Sequence, residues 1–164
     1  MWRILVFTVC LIGESAFAGS LAEYVNVLNP KMSVMIETQP DRFAIVDVAF
    51  DATTCSPRDE LICFESTGFQ FAVPKNISNK RKWAYKGMKY EVSNQITSPI
   101  WGRPGPFWLI EQKDKPALKF VYSSTSGLIM LGGLGQPPGS LFVLIQSCGF
   151  GAASDCKKEE TLPR

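Results

Sequence analysis

Phe107 to Tyr122 reads FWLIEQKDKPALKFVY, and the fold follows from how that stretch divides. Phe107 to Glu111 is a short run rich in aromatic and branched residues. In Ala117 to Tyr122, Leu118, Phe120 and Tyr122 recur at every second position. A period of two places those three side chains on one face of a β-strand. Gln112-Lys113-Asp114-Lys115-Pro116 between the runs is polar and ends on proline, the composition of a hairpin connection. Strands joined so closely are antiparallel, because a parallel pair needs a crossover of a dozen residues or more.

The same pattern extends in both directions. Lys82 to Ser93 alternates and breaks at Gly87: Trp83 and Tyr85 share a face before the glycine, and Met88, Tyr90 and Val92 share one after it. Val34 to Glu37, Phe43 to Phe50, Leu61 to Phe64, Phe69 to Val73, Leu128 to Leu131 and Leu141 to Gln146 complete the series. Strands at such short intervals predict an all-β, single-domain antiparallel β-sandwich or small β-barrel rather than βαβ units. The one stretch with helical spacing is Leu21 to Leu28, where Leu21, Val25 and Leu28 share a helix face before Asn29-Pro30. A short N-terminal helix is therefore expected there. Asp47, inside the apolar run Phe43 to Phe50, reads as a solvent-facing strand position.

Residues 1–18 read as a signal peptide. Arg3 gives the charged region, Ile4 to Ile12 the apolar stretch, and Ala16-Phe17-Ala18 the small-x-small cleavage pattern. Cleavage after Ala18 leaves Gly19 first, a domain over 19–156 and a charged tail over 157–164. The apolar stretch is far short of the roughly 20 residues that span a bilayer, so no transmembrane span is expected in the mature chain. Export makes the four remaining cysteines candidates for disulfides. Cys55 and Cys63 share one spacing with Cys148 and Cys156, and each pair brackets turn-prone residues, so two local bridges are expected. Each closes a short loop that contributes roughly 2.5 kcal/mol.

The 164 residues contain no histidine, and 17 Lys and Arg balance 15 Asp and Glu for a formal charge of +2. That balance gives no bulk attraction for nucleic acid. Without histidine there is no Ser-His or Cys-His catalysis, and the cysteines lack zinc-site spacing, so neither metal, cofactor nor enzymatic activity is expected. Gly132-Gly133-Leu134-Gly135 invites a phosphate-loop reading, but Pro137 and Pro138 prevent the helix that such a loop requires.

Two segments are candidates for binding. Lys80, Arg81, Lys82, Lys86 and Lys89 interleave with Trp83 and Tyr85, and no acidic residue occurs from Ser66 through Tyr90. Such a segment can capture an anionic surface or an acidic protein, or it can be an amphipathic strand with wet lysines. Trp101-Gly-Arg103-Pro-Gly-Pro-Phe-Trp108 is a stiff, irregular loop flanked by tryptophans, which serve either as interface anchors or as plugs at one end of the fold. Arg103 can stack on either ring or meet a partner's carboxylate. Asn76-Ile77-Ser78 matches an N-glycosylation acceptor, which matters only in a eukaryotic source. The sequence thus predicts an exported β-domain that acts by binding, as an inhibitor, immunity or accessory protein outside the cytoplasm. The alternatives are a carrier of a small apolar or lipidic ligand inside a barrel, and an enzyme that works without histidine.

Overall fold

The computed structural model describes residues 20–38, 41–56, 58–114, 117–133, 140–154 and 156. The signal peptide, the charged tail and the segment from Leu134 to Gly139 lie outside them. Twelve strands follow in chain order: β1 Ser20–Asn26, β2 Ser33–Thr38, β3 Arg42–Ile45, β4 Val48–Thr54, β5 Leu61–Ser66, β6 Phe69–Pro74, β7 Lys82–Tyr85, β8 Met88–Ile96, β9 Phe107–Gln112, β10 Lys119–Ser123, β11 Gly127–Gly132 and β12 Leu141–Leu144. A 3₁₀ turn, Ile77–Asn79, lies between β6 and β7. The strands form one antiparallel sheet in the order β6-β5-β4-β3-β2-β1-β12-β11-β10-β9-β8-β7, nearly closed into a barrel. First and last strands meet in the middle through the pairs Tyr24↔Leu144 and Val25↔Val143. The two edges, β6 and β7, are consecutive in the chain. No helix among the described residues is long and apolar enough to cross a membrane.

Two expectations are corrected here. Leu21 to Leu28 is not a helix: through Asn26 it is strand β1, with Ala22, Tyr24 and Asn26 buried, while Leu21 is exposed. Positions 21, 25 and 28 suit a helical face, but the alternation of Ala22, Tyr24 and Asn26 fits the core and prevails. Phe43 to Phe50 is not one strand either. Val46 and Asp47 form the turn between β3 and β4, with Val46 at φ 55°, so Asp47 sits on a hairpin tip rather than on a strand face.

The inner face is lined by rings. Across β9, β10, β11 and β12, Ile110, Phe120, Leu131 and Phe142 stand in register, all buried. Opposite them, Phe69 and Phe71 of β6 meet Phe120 with centroids 6.2 and 5.1 Å apart, and Phe43 stacks on Phe69 at 4.7 Å. The barrel is therefore flattened around a solid aromatic core.

The chain after β12 closes one end. Phe150 enters the core, 5.4 Å from Phe64 and 6.2 Å from Phe71. Its backbone N–H donates to the Tyr24 hydroxyl at 3.2 Å, and its carbonyl accepts from Leu128 N–H at 2.9 Å. That hydroxyl itself donates to Leu128 O at 2.9 Å. The approach requires glycine: a Cβ on Gly149 would stand 2.0 Å from Leu128 O, and one on Gly127 would stand 2.6 Å from Phe150 O. Both expected disulfide pairs are present. Cys55 and Cys63 have Cα atoms 5.1 Å apart and Cys148 and Cys156 6.0 Å, and each bridge staples one loop at this same end.

Candidate functional site

Consecutive strands run in opposite directions, so their connections divide between two ends of the barrel. One end carries the 55–60 loop, the 75–81 link, the 97–106 loop and the chain after β12. The other carries the turns at 27–32, 46–47, 67–68 and 86–87. This division separates the basic segment. Lys80 and Arg81 stand at the loop end and Lys86 at the turn end, a β7 length of about 10 Å apart.

Two of its five charges are answered by carboxylates that lie outside it in sequence. Lys82 pairs with Glu91 at 3.3 Å, and Lys86 reaches across to Glu65. The Lys89 backbone N–H donates to Asp114 Oδ2 at 2.7 Å. Lys113 bridges Glu111 at 2.8 Å and Glu91 at 3.5 Å. Lysine contacts, Lys82 first for Glu91 and Lys113 first for Glu111, hold these carboxyls below the ordinary glutamate range. The Lys86 and Lys113 ammoniums are raised by Glu65 and Glu111 respectively. Lys80 and Arg81 are exposed and have no ion-pair partner among the described residues.

The aromatic members of that segment are mostly structural. Trp83 is buried, stacks on Tyr90 with centroids 5.8 Å apart, and donates its Nε1–H to Ala72 O at 2.9 Å. Tyr85 is half-buried under the Lys86 ammonium, 5.7 Å from the ring centroid. Three core phenols are raised: burial pushes Tyr122 up to about 12 and raises Tyr24 and Tyr90 further.

The Trp101 loop gives a different picture. Trp108 turns inward, buried against Tyr122, whereas Trp101 is 58% exposed. Ile100 and Arg103 form a miniature hairpin, with Ile100 N–H donating to Arg103 O at 3.1 Å and Arg103 N–H to Ile100 O at 3.0 Å. The two residues at its tip, Trp101 and Gly102, have φ of 47° and 75°, the left-handed pattern of a tight two-residue turn. Glycine enters that region freely; a tryptophan there is strained by about 1–2 kcal/mol. Arg103 fastens the hairpin to the sheet by donating from Nη2 to Leu144 O at 3.5 Å and to Gln146 O. Its guanidinium therefore serves the fold.

Between those two carbonyls lies Ile145, 56% exposed, and the adjacent outer face of β1 offers Leu21, 46% exposed. Neither residue stands out in sequence, since Ile145 reads as the end of a strand and Leu21 as a helix face. Among the described residues no cluster of three or more His, Cys, Asp or Glu side chains could hold a metal ion. An apolar hollow of about 470 Å³ lies on the outer face of β9 to β12, lined by Leu109, Val121, Met130 and Leu141. No family model, curated protein or solved structure matches the chain.

Proposed function

We propose that this is an exported β-barrel domain that works by binding a protein partner at its loop end, with Trp101 as the anchor. The observation that carries the reading is the placement of Trp101. A bulky aromatic is held at positive φ on a clamped hairpin tip, with more than half of its surface in water. The exposure of the ring does not benefit the isolated fold, and exposed aromatics are the residues that anchor interfaces. A residue on a clamped backbone has little main-chain entropy left to lose on association, and tryptophan is enriched among the residues that dominate interfaces. Ile145 and Leu21 extend the apolar contact. Two disulfides, both at this end, fit an oxidising compartment outside the cytoplasm and stiffen the surrounding loops. Ring-on-ring packing inside the barrel favours binding at the surface over carriage of a ligand in the interior.

The test is to replace Trp101 with a photo-crosslinking phenylalanine analogue in the source cells and irradiate them. One discrete cross-linked protein, absent when the analogue is placed at the buried Trp108, is the expected result. Equal, diffuse labelling from both positions would remove the support for this reading.

A further inference from the structure

We infer that the seam between β6 and β7 is a strand-addition site, which takes an extended segment of a protein partner along the free edge of β7. The inference concerns a site separate from Trp101 and stands independently of it.

The hydrogen-bond register identifies the groups involved. Val92 N–H donates to Arg81 O at 2.9 Å, so Arg81 faces β8. Alternation along the ladder then turns Trp83 and Tyr85 toward β8, and Lys82 and Ala84 toward the seam. On the other side, Lys75 N–H donates to Glu60 O at 3.0 Å, so by the same alternation Gln70 and Ala72 face the seam from β6. No ladder hydrogen bond joins β6 to β7 among the described residues, although every other pair of neighbouring strands in the sheet has one. Side chains bridge the gap instead: Trp83 to Ala72 O, the Tyr90 hydroxyl to Gln70 O at 3.4 Å, and Lys86 to Glu65.

Four backbone groups of Lys82 and Ala84 have no partner among the described residues, and both residues are exposed. A cleft of about 500 Å³ opens beside this edge, lined by Asp59, Glu60, Leu61, Lys80, Ala84 and Tyr85.

The charges select the occupant. In a second copy of this chain, an antiparallel β7 centred on Ala84 would set Lys82 opposite the other copy's Lys86, the like-charge arrangement by which edge strands avoid self-pairing. The cleft is lined by one cation, Lys80, and by the carboxylates Asp59 and Glu60, so it suits a segment of mixed charge with a carboxylate toward Lys80. Main-chain pairing supplies the affinity and these charges the register.

The experiment uses the oxidised protein and a phage-displayed library of random decapeptides as the probe. Amide hydrogen exchange on the free protein should show Lys82 and Ala84 exchanging fast while Trp83 and Tyr85 are protected. A selected peptide should slow the Lys82 and Ala84 amides by about tenfold or more. Ala84→Pro removes a donor that points away from β8, so it should retain the fold and lose the peptide, whereas Trp101→Ala should retain both. Protection of Lys82 and Ala84 in the free protein, selection of no peptide, or peptides that protect only other amides would each overturn the inference. The exchange measurements on the unaltered protein decide the matter even if the proline variant does not fold.

Discussion

Phe150→Ala tests whether the chain after β12 is a structural plug rather than a loose tail. The ring is almost wholly buried and meets Phe64 and Phe71 in edge-on geometry. Truncating a buried phenylalanine to alanine costs about 3–5 kcal/mol through lost transfer energy and the cavity left behind. The two backbone hydrogen bonds at residue 150 do not depend on the side chain, so the lower half of that range, about 3–4 kcal/mol, is expected. At roughly 3 °C per kcal/mol for a domain of this size, Tm should fall by about 10 °C. Phe150→Leu, which keeps most of the volume, should cost about 1.5 kcal/mol or less. Opening the bridge by Cys148→Ser with Cys156→Ser should cost about 2.5 kcal/mol. Combined with Phe150→Ala it should cost less than the sum, because both changes release the same segment. The assay is urea denaturation of oxidised protein, with ΔΔG taken at constant m. A Phe150→Ala cost under about 1 kcal/mol, or full additivity with the opened bridge, would refute the plug.

Alkaline titration followed by tyrosinate absorbance should show Tyr24, Tyr90 and Tyr122 silent at pH 10, where an unfolded tyrosine is half ionised. Because their folded pKa values are raised, the stability they contribute is full below about pH 10 and declines as pH rises toward 12; ionisation of all three near pH 10 without unfolding contradicts their burial. Carboxyl NMR should place Glu91 and Glu111 below the ordinary glutamate range, and Lys113→Ala should return Glu111 upward. The sign is that of a depressed acid: any stability from the ladder is present above the unfolded pKa and disappears as pH falls through the folded one. An unchanged Glu111 in the variant would show that the pair does not form in solution. N-terminal sequencing of exported material should begin at Gly19, and intact Met1 on such material contradicts the signal-peptide reading.

The all-β fold and the disulfide spacing were legible because both are local signals: period-two alternation in Leu118, Phe120 and Tyr122, and equal spacing around turn-prone residues. Strand β1 was not, since residues 21, 25 and 28 satisfy a helical period while 22, 24 and 26 satisfy a strand. Only pairing with β2 and β12 decides between them. The β3–β4 turn was hidden because Val46 takes positive φ without a glycine to announce it. In the candidate site, Lys82 and Lys86 looked uncompensated because Glu91 and Glu65 lie outside the basic segment in sequence and become their neighbours only through the sheet. Composition alone could not separate Trp101 from Trp108. The distinction comes from Arg103 tying the hairpin to β12, a contact between residues more than forty positions apart.

The most direct test of the account is the dissociation rate of the partner captured through position 101, compared among the unaltered protein, Trp101→Ala, and Lys82→Glu with Lys86→Glu. An anchor tryptophan contributes at least about 2 kcal/mol, so Trp101→Ala should speed dissociation by about thirtyfold, with its melting temperature nearly unchanged because the ring is exposed. The charge reversal acts on lysines already engaged with Glu91 and Glu65 and should leave dissociation within about twofold. Dissociation unchanged in Trp101→Ala and accelerated in the charge reversal would contradict the assignment of the binding end and return the site to the basic strand.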